Sequence, residues 1–183
     1  MDVVEVIGRS SAEIEARRLA REKAEAARLI VPDAPILAAD TVVVLDGAIL
    51  GKPRDGDEAR EMLRRLRRRM HEVITAVALL PHSARSALAR HPVTRVTMRP
   101  YTDEEIATSI ASGDPFDKAG AYAIQDEMFR PVDSYDGCYC NVVGLPLWPV
   151  IDMLSKLMIP VPATADGLLP QCATCPLRPP SNL

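Results

Sequence analysis

Residues 36–50 read ILAADTVVVLDGAIL. Ile36 to Leu45 form a continuous apolar run rich in β-branched residues and short enough to be a strand, which predicts a central strand buried on both faces. Asp46-Gly47 is a strong two-residue hairpin signal, and Ala48-Ile49-Leu50 is the short return strand. Gly51-Lys52-Pro53 ends it. Upstream, Ser10-Ser11-Ala12-Glu13 reads as a capping box that opens a helix. Ile14, Arg18, Leu19, Ala20, Ala24, Ala27 and Leu29 then mark a mostly alanine face. Downstream, Asp55 to Glu58 cap a second helix carrying Ala59, Met62, Leu63 and Leu66.

Val73 to Leu80 predict another buried strand, and the alternation from Val93 to Arg99 a strand with two different faces. Thr102 to Glu105 cap a third helix that stops at Gly113. Between Asp114 and Asn141 short strands and turns are expected, with Asp136-Gly137 as a further hairpin signal. Leu147 to Met158 predict a packing helix. Strands and helices are interspersed without strict alternation. That favours an α/β fold, a mixed sheet with flanking helices, over a doubly wound one. The division is a domain over 1–159 and a flexible Pro-rich tail over 160–183.

The 183 residues are 48% hydrophobic, 26% charged and 4% aromatic, so the core must be built mainly from Ala, Val, Leu, Ile and Met. A net charge of −3 argues against a nucleic-acid partner while allowing a local basic pocket. No apolar run suits a bilayer, which argues against a membrane partner, and MDVVEVIGRSS is unlike a signal peptide, so a cytoplasmic location is expected. Cys138 and Cys140 fall two apart in an expected strand. Cys172 and Cys175 form a lone CxxC among prolines, read as free thiols or as half of a zinc site completed by a second subunit's tail.

Asp40-Thr41 interrupts the apolar strand. A carboxylate there is costly unless paired. It is either a strand end bonded to a turn, or a carboxylate aimed into a cleft to bind a metal or activate water. Gly47 to Pro53 is not a phosphate loop: the spacing is one residue short, and proline stands where a hydroxyl would hold magnesium. Lys52 could still meet a phosphate as a point charge, or be solvated surface. The arginines from Arg60 to Arg69 follow acidic residues on one helix, the arrangement a helix dipole favours, and not a nucleic-acid patch. His71, His82 and His91 have no metal-site spacing, and no GxSxG accompanies any serine.

Taken together, LAREKA (19–24), AADTVVVLDGAILGKPRD (38–55), EAREML (58–63), HEVITAVAL (71–79), DPFDKAGAYAIQ (114–125) and NVVGLPL (141–147) resemble the Maf family of nucleoside triphosphate pyrophosphatases. The resemblance implies a two-lobed fold with a central nucleotide cleft and hydrolysis of a nucleoside triphosphate to monophosphate and pyrophosphate. It also implies dependence on a divalent cation, Mg2+ or Mn2+, and a homodimer as a frequent assembly. Asp40 looks like the proton acceptor. Thr41 and Gln125 look like determinants of nucleotide choice, and Lys52 and Lys23 like phosphate-binding lysines. Asp117 and Lys118 match a segment lining the same cleft, Lys118 toward the substrate and Asp117, with Asp40, toward the metal. Thr41, Gln125 and DKAGAY together resemble the branch acting on dTTP and UTP.

Three departures stand out. The family's opening Ser-Pro-Arg-Arg segment has no counterpart, for which weakened turnover and an open groove beside the strand of Asp40 are expected. Asp126 stands where the pattern has glycine, so repulsion of phosphate is expected. Arg68-Arg69 replace a Ser-Gly turn. The competing expectation is a nucleotide-binding regulatory protein of the same fold with little or no catalysis.

Overall fold

The computed structural model describes residues 9–82, 84–161 and 165–180. The opening residues 1–8 and the hydroxyl of Ser10, on which the expected capping box rests, lie outside that description. The helix is continuous from Arg9.

The apolar run becomes strand β1 (Ile36–Leu45), and the Asp-Gly turn leads into β2 (Ala48–Leu50) with Leu45 opposite Ala48. Asp46 and Gly47 both take left-handed φ, 53° and 77°, as a two-residue hairpin requires. β3 (Met70–Leu80) starts three residues earlier than the expected Val73 and pairs with β1 from Ile36–Leu80 to Val44–Glu72. β4 (Leu88–Arg90) and β5 (Val93–Met98) pair with successive parts of β3, and β6 (Val132–Asp136) pairs with β5. The sheet order is β2-β1-β3-β5-β6, with β4 beside β3, and every pairing is antiparallel.

Helices cover both faces of the downstream half of β1, where Val42 to Leu45 are buried without alternation, while Ile36 to Thr41, expected to be buried as well, are only partly covered and Leu37 is exposed. Helix α1 (Arg9–Ile30) lays Ala12, Ala16, Ala20 and Ala24, each 0% exposed, onto Val42, Val44, Ile74, Ala76, Ala78 and Leu80. This four-residue repeat of methyl groups brings the helix close to an equally smooth sheet. Ile14 and Leu29, expected on this face, are exposed. The Arg28 guanidinium holds the helix end by donating to the carbonyls of Leu80 and Pro81 at 3.0 and 2.8 Å.

On the opposite face, Val43, Leu45 and Val73 meet helix α2 (Gly56–Leu66) through Ala59, Met62, Leu63 and Leu66. Asp55 caps α2 as expected, accepting from the Asp57 and Glu58 amides. Helix α3 (Asp103–Ser112) carries the expected Thr102/Glu105 capping box and ends at Gly113, φ 83°. Four arginines of the run form ion pairs: Arg60 with Asp57, Arg64 and Arg67 with Asp103, and Arg69 with Asp46.

Three expectations need correction. Asp136-Gly137 opens no hairpin, and Cys138 and Cys140 are not in a strand. The chain turns at Gly137 into the short helix α4 (Tyr139–Val143). A Cβ at Gly137 would lie 2.8 Å from Thr94 Oγ1, so the backbone passes where only glycine fits. Of the stretch after Pro160, expected as a flexible tail, the described residues 165–180 pack instead. Beyond helix α5 (Leu147–Lys156) and the four-residue helix α6 (Ala165–Leu168), a 3-10 turn at Pro170–Cys172 buries Cys172 and Cys175 against Cys138, Cys140 and Trp148. The Trp148 indole donates to the Cys172 carbonyl at 3.0 Å. Low periodicity concealed this docking, because its anchors are a tryptophan and cysteines and not a helical stripe.

His71 of β3 is buried, its Nε2 2.6 Å from the Tyr122 hydroxyl, and burial pushes its pKa from 6.5 down to about 4. The unfolded chain therefore takes up a proton near pH 6.5 that the folded chain refuses until about pH 4. Stability should be full above pH 6.5 and fall by about 2 kcal/mol between pH 7.5 and 5. Urea unfolding at both pH values checks this against His71→Gln, which should lose clearly less; an equal loss would remove His71 as the cause. Arg68 has φ 61° at the turn where the family pattern places Ser-Gly. Arg68→Gly should raise stability by up to about 1 kcal/mol, read as a higher Tm; a lower Tm would contradict the strain.

Candidate active site

β2 pairs with β1 only from Val43 to Leu45, so among the described strands nothing covers the upstream half of β1 on that side. Asp40 and Thr41 lie on this uncovered half. Side chains alternate along a strand, so they point to opposite faces. Asp40 turns toward α1, where Lys23 Nζ meets its Oδ1 at 2.5 Å and approaches the Ala39 carbonyl at 3.5 Å. The Asp40 side chain is only 15% exposed while that of Lys23 is 57% exposed. The carboxylate is thus held in place by a cation whose other side faces solvent.

Thr41 turns the other way, its hydroxyl 2.8 Å from that of Thr75, its register partner on β3. Thr75 lies where β3 is uncovered on its far edge, β5 pairing only up to Ile74 and β4 only from Val77. Asn141, fully buried on α4, fills the gap. Its Oδ1 accepts from the Thr75 amide at 3.1 Å, and its Nδ2 donates to the Val73 carbonyl and to Thr94 Oγ1, both at 2.9 Å. One side-chain amide does here what a strand's backbone would do. The Thr75 hydroxyl donates to the Asn141 carbonyl at 2.6 Å, which leaves its lone pairs for Thr41.

The Gly51-Lys52-Pro53 segment leaves β2 and is joined to the DKAGAY loop by the Gly120 amide, which donates to the Gly51 carbonyl at 2.9 Å. Gly120 has φ 71°, and a Cβ there would press on Val43 at 3.2 Å. This close approach sets Asp117 and Lys118 beside β1. Lys118 Nζ donates to Asp117 Oδ1 at 2.6 Å and to the Asp114 carbonyl at 2.8 Å. Lys118, and more weakly Lys52, hold the Asp117 carboxyl below its usual range.

Lys23, Asp40, Thr41, Lys52, Asp117, Lys118 and Gln125 all line one cavity of about 260 Å³, walled further by Val43, Tyr122, Val142 and Val143. All seven residues singled out from the sequence therefore meet. Three lysines against two carboxylates leave the lining net positive, as an anion site requires. Asp126 is a correction. Its Oδ1 accepts from the Met128 and Phe129 amides at 2.9 and 2.8 Å, a local turn cap, and it is not part of the lining. Two backbone amides thus offset part of the charge that was expected to repel phosphate. Thr75 and Asn141 had no role in the sequence reading. The only signals were a threonine midway along an apolar strand and the asparagine that opens NVVGLPL.

Among the described residues, no group of three or more His, Cys, Asp or Glu is arranged to hold a metal ion, and no helix is long and apolar enough to cross a membrane. The pairing of Cys172 and Cys175 with cysteines of their own chain also removes the reason for a zinc site shared between two tails.

The chain is similar to several known proteins. The dTTP/UTP pyrophosphatase of Thermomicrobium roseum is 52% identical over 165 residues, 90% of this chain and 75% of that protein. The proteins of the same name from Syntrophomonas wolfei and Escherichia coli O157:H7 are each 49% identical, over 77% and 76% of this chain and 75% and 70% of theirs. The family pattern described as Maf-like protein matches residues 2–157, and the chain belongs to the Maf family.

Proposed function

We propose that this chain is a nucleoside triphosphate pyrophosphatase that converts dTTP or UTP to the monophosphate and pyrophosphate in the cytoplasm. The observation that carries the reading is the Lys23–Asp40 pair at the open edge of β1, inside a cavity that also gathers Lys52, Lys118 and Gln125. The names of the relatives support the choice of nucleotide.

Lys23 orients the Asp40 carboxylate, and Asp40 takes the proton of a water that attacks the α-phosphorus. The bond from the α-phosphorus to the bridging oxygen breaks, and pyrophosphate leaves carrying the new charge. Lys52 and Lys118 neutralise that charge as it develops. Thr41, held by Thr75, and Gln125 read the pyrimidine. Asp40 and Asp117 offer hard oxygen donors in one cavity, which suits Mg2+ or Mn2+ carried in largely by substrate phosphates and water. When bound, such a cation lowers the pKa of water and shields the triphosphate.

The reading is tested by pyrophosphate release from UTP and dTTP with Mg2+ or Mn2+. Asp40→Asn should lower kcat by about 10²–10⁴-fold, the usual worth of a positioned general base. Tm should move little, since the Lys23 partner is mostly exposed. Unchanged turnover in the folded variant would take Asp40 out of the mechanism.

Gln125 can donate to and accept from a base edge, whereas glutamate only accepts and adds negative charge beside phosphates. Gln125→Glu should therefore cut kcat/KM for UTP and dTTP by roughly tenfold or more relative to GTP. Equal losses on all three nucleotides would show that Gln125 does not select the base.

A further inference from the structure

None of the four cysteines is in a disulfide, and they gather in one buried cluster, at 2%, 2%, 1% and 7% exposure for Cys138, Cys140, Cys172 and Cys175. They come from two segments far apart in sequence and face each other as two pairs. Cys140 Sγ lies 3.1 Å from Cys172 Sγ across 32 positions, and the Cys138 thiol is hydrogen-bonded to that of Cys175. The sulfurs form no cage round a common point. A buried cysteine is often only a small hydrophobe. Here two crossed pairs lie where a segment with no strand in the sheet must be held down, and thiols in contact can be joined covalently.

We propose that Cys140 and Cys172 form a disulfide that staples the C-terminal segment onto α4, with a peroxide as oxidant. A thiolate sulfur attacks one peroxide oxygen, the O–O bond breaks, and a sulfenic acid and a first water result. The second sulfur attacks the first, the S–S bond forms, the S–O bond breaks, and a second water leaves. Two electrons pass from the sulfurs to the peroxide, and both thiol protons end in water. Closing the bond needs the sulfurs to approach by about 1 Å, to the usual length of about 2.05 Å. The docked segment supplies that proximity: Trp148 holds the Cys172 carbonyl, and Arg178 lies 5.9 Å over the Trp148 ring. In the docked chain the sulfurs of Cys140 and Cys172 belong to residues only 2% and 1% exposed, so a peroxide has little access to them once the segment is seated. Oxidation belongs to the moment of docking, before the sulfurs are covered.

The link would reach the cavity. Cys140 precedes Asn141, whose amide fills the gap in β3 and sets Thr75 against Thr41, while Val142 and Val143 form a wall of the cavity. Joining Cys140 to Cys172 braces α4 from behind. The inference does not depend on the nucleotide or on turnover.

The test uses the full chain, refolded with hydrogen peroxide or with dithiothreitol, its cysteine peptides mapped by mass spectrometry without reduction. A Cys140–Cys172 cross-link is expected, with a Tm on the order of 5–10 °C above the reduced form, as closing a loop of this length predicts. The rise should vanish in Cys140→Ser/Cys172→Ser and persist in Cys138→Ser/Cys175→Ser. If a double variant fails to fold, the wild-type peptide map alone decides. Four free thiols after peroxide, a cross-link only between Cys138 and Cys175, or one tightly held zinc per chain in protein purified without chelator would each overturn the proposal.

Discussion

The long antiparallel ladder between β1 and β3 organises this protein, because both of its faces are covered over much of its length and both strands must there be apolar. Any polar group placed in it loses water and must find a partner in the protein. Asp40, Thr41 and Thr75 are the polar groups facing the cavity end of the ladder, and each has one. Lys23 serves Asp40 from α1, and Asn141 serves Thr75 from α4. The elements around the sheet are thus tied to it where its own strands stop short. Those same breaks in pairing leave room for the cavity.

Charge is distributed with the same economy. Arg60, Arg64, Arg67 and Arg69 of α2 and its following turn bind carboxylates on α2, α3 and the β1–β2 turn, so much of the charge of a run that looks basic in sequence is offset locally. The lysines of the cavity are paired less completely, three against two carboxylates, and the lining keeps an excess of positive charge that suits an anion. Asp126 illustrates the converse. A carboxylate near a phosphate site does less harm once two backbone amides have claimed it.

α4 is the element through which distant parts of the chain bear on one another. Its asparagine completes β3, its valines wall the cavity, and its cysteine touches the C-terminal segment. Gly137 permits this by letting the backbone pass against Thr94, whose hydroxyl both donates to the Cys138 carbonyl and accepts from the Cys138 amide. A change at either end of this short helix would be felt at Thr41 through two hydrogen bonds.

Sequence alone determined the elements whose signals are local. The apolar run of β1, the Asp46-Gly47 turn, the Asp55 and Thr102 caps and the stop at Gly113 depend on periodicity and on hydrogen bonds between near neighbours, and each formed as expected. The seven residues that the motifs named, Lys23, Asp40, Thr41, Lys52, Asp117, Lys118 and Gln125, also all line the cavity, since they stand in stretches the family shares. Tertiary structure decided what depends on contacts between distant segments. The alanine stripe of α1 displaced Ile14 and Leu29 because the smooth face of the sheet favours the smallest side chains. Asn141 could substitute for a strand only once β4 and β5 had left β3 uncovered at Thr75. The segment after Pro160, with no period to announce it, found its place because Trp148 and two cysteines of α4 and its cap had already built the pocket that receives it.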